Sequence, residues 1–186
     1  RLLVGSWREN WNDPDLPFYY VQLSSIDRPS WPWFRDSQRR LMDAIPHTGM
    51  AVSSDYGDSL DVHPKNKRPI GERLAHWALN RTYDKKQVVP SGPLFRSVDF
   101  REDAAYVSFD YADGLHTADG RPIREFEIAE TEGGYYPAKA EVVGNQVKVY
   151  SDRVKHPCHV RYAWRPFTRA NLVNSQSLPA STFRSR

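Results

Sequence analysis

Side-chain chemistry is most concentrated in Tyr56-Gly57-Asp58-Ser59-Leu60-Asp61-Val62-His63-Pro64-Lys65-Asn66-Lys67, where one histidine follows two aspartates. A carboxylate that accepts the ring N–H of a histidine fixes its tautomer and orientation, as a general-base histidine requires. Asp61 and Asp58, two and five residues before His63, are both near enough in sequence to do this, and Pro64 restrains the backbone behind the ring. The plainer reading is that the aspartates cap turns, as loop aspartates often do, and that His63 is an ordinary loop residue.

The elements around this loop favour the chemical reading. Pro17 to Leu23 is a near-continuous apolar run, as expected of a strand covered on both faces. Ser30 as N-cap and Pro32 in the first turn then open a helix that carries Trp33, Phe34, Leu41 and Met42 at helical spacing through Ala44, where Pro46 stops it. Thr48 to Ser54 forms a second buried strand, followed by the loop 55–68. A helix from Pro69 to about Thr82 places Ile70, Leu74, Trp77 and Ala78 on one face. This β–α–β–α order predicts a parallel α/β sheet, and two strands are too few to complete one. In such sheets, ligands gather beyond the carboxyl ends of the strands, where His63 lies.

The pattern changes after Tyr83. Val88 to Phe95 is rich in Pro and Gly, and short alternating strands follow at 106–109, 146–150 and 159–164. Turns are expected at Asp119-Gly120, Gly133-Gly134 and Gly144-Asn145. An antiparallel β-sandwich is expected beyond a boundary near residue 90.

Composition narrows the rest. The chain has 186 residues, 39% hydrophobic and 13% aromatic, which is too aromatic for a disordered segment. Its net charge of +3 comes from 26 basic and 23 acidic residues, interspersed. The clusters Arg35/Arg39/Arg40 and Lys65/Lys67/Arg68 read as solvated faces rather than a phosphate track, so no nucleic-acid partner is expected. A single cysteine, Cys158, excludes an intrachain disulfide framework, and no run approaches the roughly 18 apolar residues of a membrane span. Arg1-Leu2-Leu3-Val4 reads like the interior of something longer, so a processed or truncated piece is expected.

His156-Pro157-Cys158-His159 lacks a second ligand cluster at metal spacing, so no metal or cofactor is expected and Cys158 reads as a structural strand residue. Asn80-Arg81-Thr82 fits the glycosylation triplet. Trp31, Trp33, Tyr56 and Trp77 are candidate sugar platforms, with Trp77 more in keeping with a core position.

Gly57-Asp58-Ser59-Leu60 also spells the nucleophile motif of a large esterase class, which would make Ser59 the attacking group. Yet Ser59 is only four residues from His63 in the same loop, with no visible oxyanion hole. A different resemblance runs through the chain. The histidine block together with Thr48 to Val52 and Ile70-Gly71-Glu72-Arg73-Leu74-Ala75 resembles the sialate O-acetylesterase family, where a Gly-Asp-x-x-Asp-Ile-His-Pro-x-x-Lys segment delivers the catalytic histidine. It continues at Leu16 to Leu23, Gly92-Pro93-Leu94-Phe95, Arg161-Tyr162-Ala163-Trp164, Asn171-Leu172-Val173-Asn174 and Ser177 to Arg184.

The resemblance implies an SGNH-type serine esterase that removes acetyl groups from sugar hydroxyls, with His63 catalytic. Asp61 is its acid partner in the family pattern, Asp58 the reserve, and a Ser–His dyad the third option. Many SGNH enzymes carry the aspartate three residues before the histidine, where this chain has Leu60. The family's nucleophile and oxyanion hole lie in upstream Gly-Gln-Ser-Asn-like and Gln-Gly-Glu-Ser-Asn-like blocks that do not occur here. The implied fold is therefore the C-terminal part of a three-layer α/β/α SGNH domain over 1–87 and a β-sandwich over 88–186. Implied partners are the upstream segment with the nucleophilic serine and an O-acetylated carbohydrate, in a secreted, periplasmic or lysosomal setting. The rival expectations are a non-catalytic carbohydrate-binding β-sandwich module and a self-contained esterase using Ser59.

Overall fold

A computed structural model describes residues 1–185. Helix α1 (Leu2–Asn10) comes first, then strand β1 (Phe18–Val21), helix α2 (Trp31–Ala44), strand β2 (Thr48–Ala51) and helix α3 (Arg68–Trp77), which runs into a π-helical turn (Ala78–Thr82). β1 and β2 pair in parallel, Phe18 opposite Thr48 and Val21 opposite Ala51. Both strands are shorter than the apolar runs, which continue as buried but bent chain through Ser24 and Ser54. In α3, Ile70 and Trp77 are buried, with Leu74 and Ala78 half-buried beside them. The Trp77 indole N–H donates to the Met50 carbonyl at 2.9 Å, locking the helix onto β2.

Helix α1 has no side-chain cap and buries only Val4 among its residues, so the sequence carries little local signal for it. It is held by Arg8, whose guanidinium donates to the carbonyls of Leu16 at 3.1 Å and Pro46 at 2.7 Å. Trp7 meets Phe18 edge-on at 5.8 Å.

Helix α2 is turned over relative to its apolar stripe. Trp33 and Phe34 are 50% and 55% exposed, whereas Arg35, Asp36 and Arg39 are buried. The cause lies in what the helix packs against, a bend at residues 163–166 with outward carbonyls that need donors. Arg35 donates to Ala163 O at 3.1 Å, to Pro166 O at 3.2 Å and to Arg165 O. Asp36 in turn pairs with Arg39 at 3.0 Å and Arg40 at 2.8 Å. The Ser30 side chain makes no capping bond.

The remaining strands are β3 (Leu94–Arg101), β4 (Ala104–Asp110), β5 (His116–Thr117), β6 (Phe126–Ala129), β7 (Tyr136–Pro137), β8 (Lys139–Val143), β9 (Gln146–Tyr150), β10 (His159–Tyr162), β11 (Leu172–Val173) and β12 (Phe183–Arg184). They form two four-stranded antiparallel sheets, β3-β4-β9-β8 and β12-β10-β6-β7, and the pair β11-β5. Alternate residues of both large sheets meet in one core, with Val107, Val147, Val149, Ile128, Val160 and Phe183 fully buried. Turns stand at Gly120, Gly133 and Gly144, all at positive φ. A second, smaller cluster of Met50, Val52, Trp77 and Leu94 lies against the parallel pair.

Residues 90–94 are buried rather than a loose connection. A Cβ on Gly92 would lie 2.1 Å from the Pro179 carbonyl oxygen, so glycine here permits close approach rather than flexibility.

Candidate active site

Beyond β2, Val52, Ser53 and Ser54 stay buried and the chain then turns outward into the histidine loop. The continuation of β1 holds that loop from one side. Ser25 N–H donates to Tyr56 O at 2.9 Å and Asp27 N–H to Ser59 O at 3.1 Å, while the Ser24 hydroxyl donates to Val62 O. The Trp31 indole N–H braces Ser24 through its carbonyl at 2.8 Å, so Trp31 supports the loop rather than standing free as a sugar platform.

From the other side α3 contributes Arg73. Its two terminal nitrogens grip both Asp55 oxygens at 2.7 and 2.6 Å, and Nη1 also donates to Val52 O at 2.7 Å. The same guanidinium stacks over the Tyr56 ring, 5.3 Å from its centroid. Arg73, Ser24 and Ser25 were missed as site residues, because an isolated arginine on a helix reads like any solvated surface charge.

Gly57 makes the close crossing between the two strand extensions. It sits at φ +101°, and a Cβ there would fall 2.2 Å from the Ser25 carbonyl oxygen. Gly57→Ala is expected to cost about 1–3 kcal/mol and to displace the loop, because the left-handed conformation and the clash act together. Thermal denaturation should show the loss of stability, and amide shifts of residues 56–63 should move. Unchanged loop shifts would contradict the requirement for glycine.

Within the loop the two aspartates part roles. Asp58 Oδ1 accepts the Leu60 N–H at 3.0 Å, the turn-capping role, and the Ser59 hydroxyl lies 3.5 Å from that same oxygen. Asp61 Oδ1 accepts the His63 backbone N–H at 2.9 Å and stands 3.0 Å from His63 Nδ1. With Nδ1–H donating to the carboxylate, Nε2 carries the lone pair and is free to take a proton. The hollow here, about 550 Å³, is lined by Asp55, Tyr56, Asp58, Asp61, His63 and Lys65 among others, and Ser59 is not in its wall. His63 is open to solvent, its side chain 81% exposed.

The Asp61 carboxyl is held below the usual carboxylate range, first by the His63 backbone N–H, then by the His63 ring, with Lys65 adding a smaller pull. A depressed folded-state value means that the ordered loop is favoured fully above the ordinary aspartate pKa of about 3.9. That preference is lost as pH falls through the depressed value. Amide shifts of residues 61–63 should therefore hold at neutral pH and collapse in acid, and Asp61→Asn should remove that step. The same acid transition in Asp61→Asn would contradict the assignment.

The other candidates lie elsewhere. Cys158 is free and exposed, just outside β10 rather than within it, and among the described residues no three His, Cys, Asp or Glu side chains converge as metal ligands. Asn80 is buried with its amide on the Val88 carbonyl at 2.8 Å, so the glycosylation triplet does not present its acceptor. Trp33 meets Trp164 edge-on at 5.1 Å and lies under the Arg184 guanidinium. Among the described residues, no helix is long and apolar enough to cross a membrane.

A sialate O-acetylesterase from Rattus norvegicus is 22% identical over 214 residues, covering 99% of this chain and 40% of that protein. The chain is similar to a sialate O-acetylesterase along its whole length. The crystal structure of a carbohydrate acetylesterase from Xanthomonas citri superposes on it with a TM-score of 0.90 at 36% identity, over 97% of this chain and 43% of that one. The chain thus spans less than half the length of either relative, and no family model matches it. The mixed α/β architecture with antiparallel sheets agrees with that esterase neighbour.

Proposed function

We propose that this chain is the C-terminal part of a carbohydrate O-acetylesterase and supplies the histidine of a serine-esterase site. The observation that carries the reading is the Asp61–His63 pair, with Nδ1 tied to the carboxylate and Nε2 left free, at the carboxyl end of a parallel strand pair. In this reading residues 1–87 belong to a three-layer SGNH α/β/α domain and 88–186 form a β-sandwich. The nucleophilic serine and the oxyanion hole come from an upstream segment that completes the sheet beyond β1. The likeness to two esterases at more than twice this chain's length supports that division of labour.

His63 Nε2 takes the proton of the attacking serine hydroxyl as its oxygen bonds to the acetyl carbonyl carbon, and returns it to the departing sugar oxygen. Water then repeats the cycle, releasing acetate and the serine. Asp61 stabilises the imidazolium formed in each half without taking the proton itself. An exported setting fits a carbohydrate substrate.

The test is acetate release from O-acetylated oligosaccharides by the protein with its upstream segment. Activity lost in His63→Ala and retained in Ser59→Ala supports the proposal. Activity lost in Ser59→Ala would move the nucleophile into this loop, and no activity in any preparation would leave a carbohydrate-binding module.

A further inference from the structure

At the opposite end of the parallel pair from His63, a groove runs between β2 and the strands that follow it. It consists of two adjoining hollows of about 470 and 700 Å³ that share Arg39, Asp43, Phe95 and Asp110. Pro17, just before β1, and Thr48, at the start of β2, line it, and it shares no residue with the histidine hollow. α2 and the π-helical turn line it on one side, β3 and β4 on the other.

Six cationic side chains line the two hollows, but four are already paired, Arg39 and Arg40 with Asp36, Lys86 with Asp84 and Arg184 with Glu132, which leaves Arg81 and Arg96 beside the lining carboxylates Asp43 and Asp110. The nearest approaches of those carboxylates are loose, 4.0 Å from Asp43 to Arg39 and 4.0 Å from Asp110 to Arg96. Arg81 has no carboxylate within ion-pair distance among the described residues, and its guanidinium is steadied by the Tyr111 hydroxyl at 2.8 Å. Tyr111 in turn stands edge-on to Trp77 at 6.0 Å, giving the wall a rigid aromatic member.

The helix itself is irregular at this point. α3 passes into its π-helical turn at Ala78–Thr82, which carries Arg81, and Tyr19 and Thr82 pair through their hydroxyls at 2.7 Å. Such π turns cost regular hydrogen bonding and recur at functional sites. An available guanidinium beside aromatic rings matches a carboxylate on a flat-faced ring, since guanidinium pairs with carboxylate in a planar fork and sugar rings stack on aromatic faces.

We propose that this groove is a second binding site, for an acidic oligosaccharide bearing carboxylate groups, with Arg81 as its main anion contact. Binding of such a chain in this groove does not depend on the esterase reading.

Titration calorimetry of trigalacturonate against the full-length protein, without any ester present, tests it. Binding that weakens as salt is raised, falls at least ten-fold in Arg81→Ala and persists in His63→Ala is the expected result. Tyr111→Phe, which frees Arg81 without removing charge, should weaken binding less, by about three-fold. No binding of trigalacturonate, equal binding of neutral xylotriose, or unchanged affinity in Arg81→Ala would overturn the proposal. Arg81 is exposed, so its loss should leave the melting temperature in place, and that measurement keeps a binding defect distinct from misfolding.

Discussion

Replacing His63 with alanine, in a preparation that carries the upstream segment, is expected to lower kcat for acetate release by roughly 10⁴ to 10⁶-fold. The size follows from its proposed role in both proton transfers of the cycle, which no neighbouring group can replace. Asp58 is engaged in its turn with the Leu60 N–H, and Ser59 contacts Asp58 rather than the imidazole. KM should change little, because the ring acts on a proton in transit rather than on the bound sugar. Stability should also hold, since the side chain is largely exposed. Asp61→Asn should cost less than His63→Ala, because the carboxylate orients the ring and stabilises its charge without handling the proton. A His63→Ala protein with kcat within ten-fold of the original would remove His63 from the chemistry.

Arg35→Met is expected to have the largest effect on stability, about 3–5 kcal/mol. Arg35 is fully buried, and burial pulls its guanidinium down to about 10, still charged at neutral pH. The cost of desolvating that charge is offset by the carbonyls of Ala163, Arg165 and Pro166, which converge on it from the bend after β10. Methionine fills similar space but leaves three acceptors facing an apolar chain, each unmet acceptor costing about 1–3 kcal/mol. For a chain of this size the melting temperature should fall by about 6–20 °C. A drop of less than about 2 °C would show that the bend can turn its carbonyls to water.

Local periodicity carried the strands and helices around the site. Continuous apolar runs marked β1 and β2, alternation marked β4 and β9, and the i, i+4, i+7 pattern marked the face of α3 that buries Ile70 and Trp77. The same rule misled at α2, because the helix buries charge against carbonyls 128 to 131 residues away, and no local pattern reports such a partner. The Asp61–His63 contact was legible because its members are two residues apart. The Arg73 grip on Asp55 and the Gly57–Ser25 crossing join segments 18 and 32 residues apart, and only the folded chain brings them together.

Two asparagines hold loops far from the histidine. The Asn174 amide donates to the carbonyls of Ser91 at 3.0 Å and Tyr111 at 3.1 Å, and its Oδ1 accepts from Gln176 and Leu178. Asn171 similarly staples Asp119, Pro122 and Arg124. Both positions hold loops in place by satisfying buried backbone groups, which an apolar residue of similar size would leave unpaired.

The central claim, that His63 serves a serine supplied from outside this chain, is tested most directly by fluorophosphonate labelling with mass-spectrometric mapping of the modified residue. The account predicts a label on an upstream serine, present in the unaltered protein and lost in His63→Ala, with the isolated chain unlabelled. A label on Ser59 would contradict it.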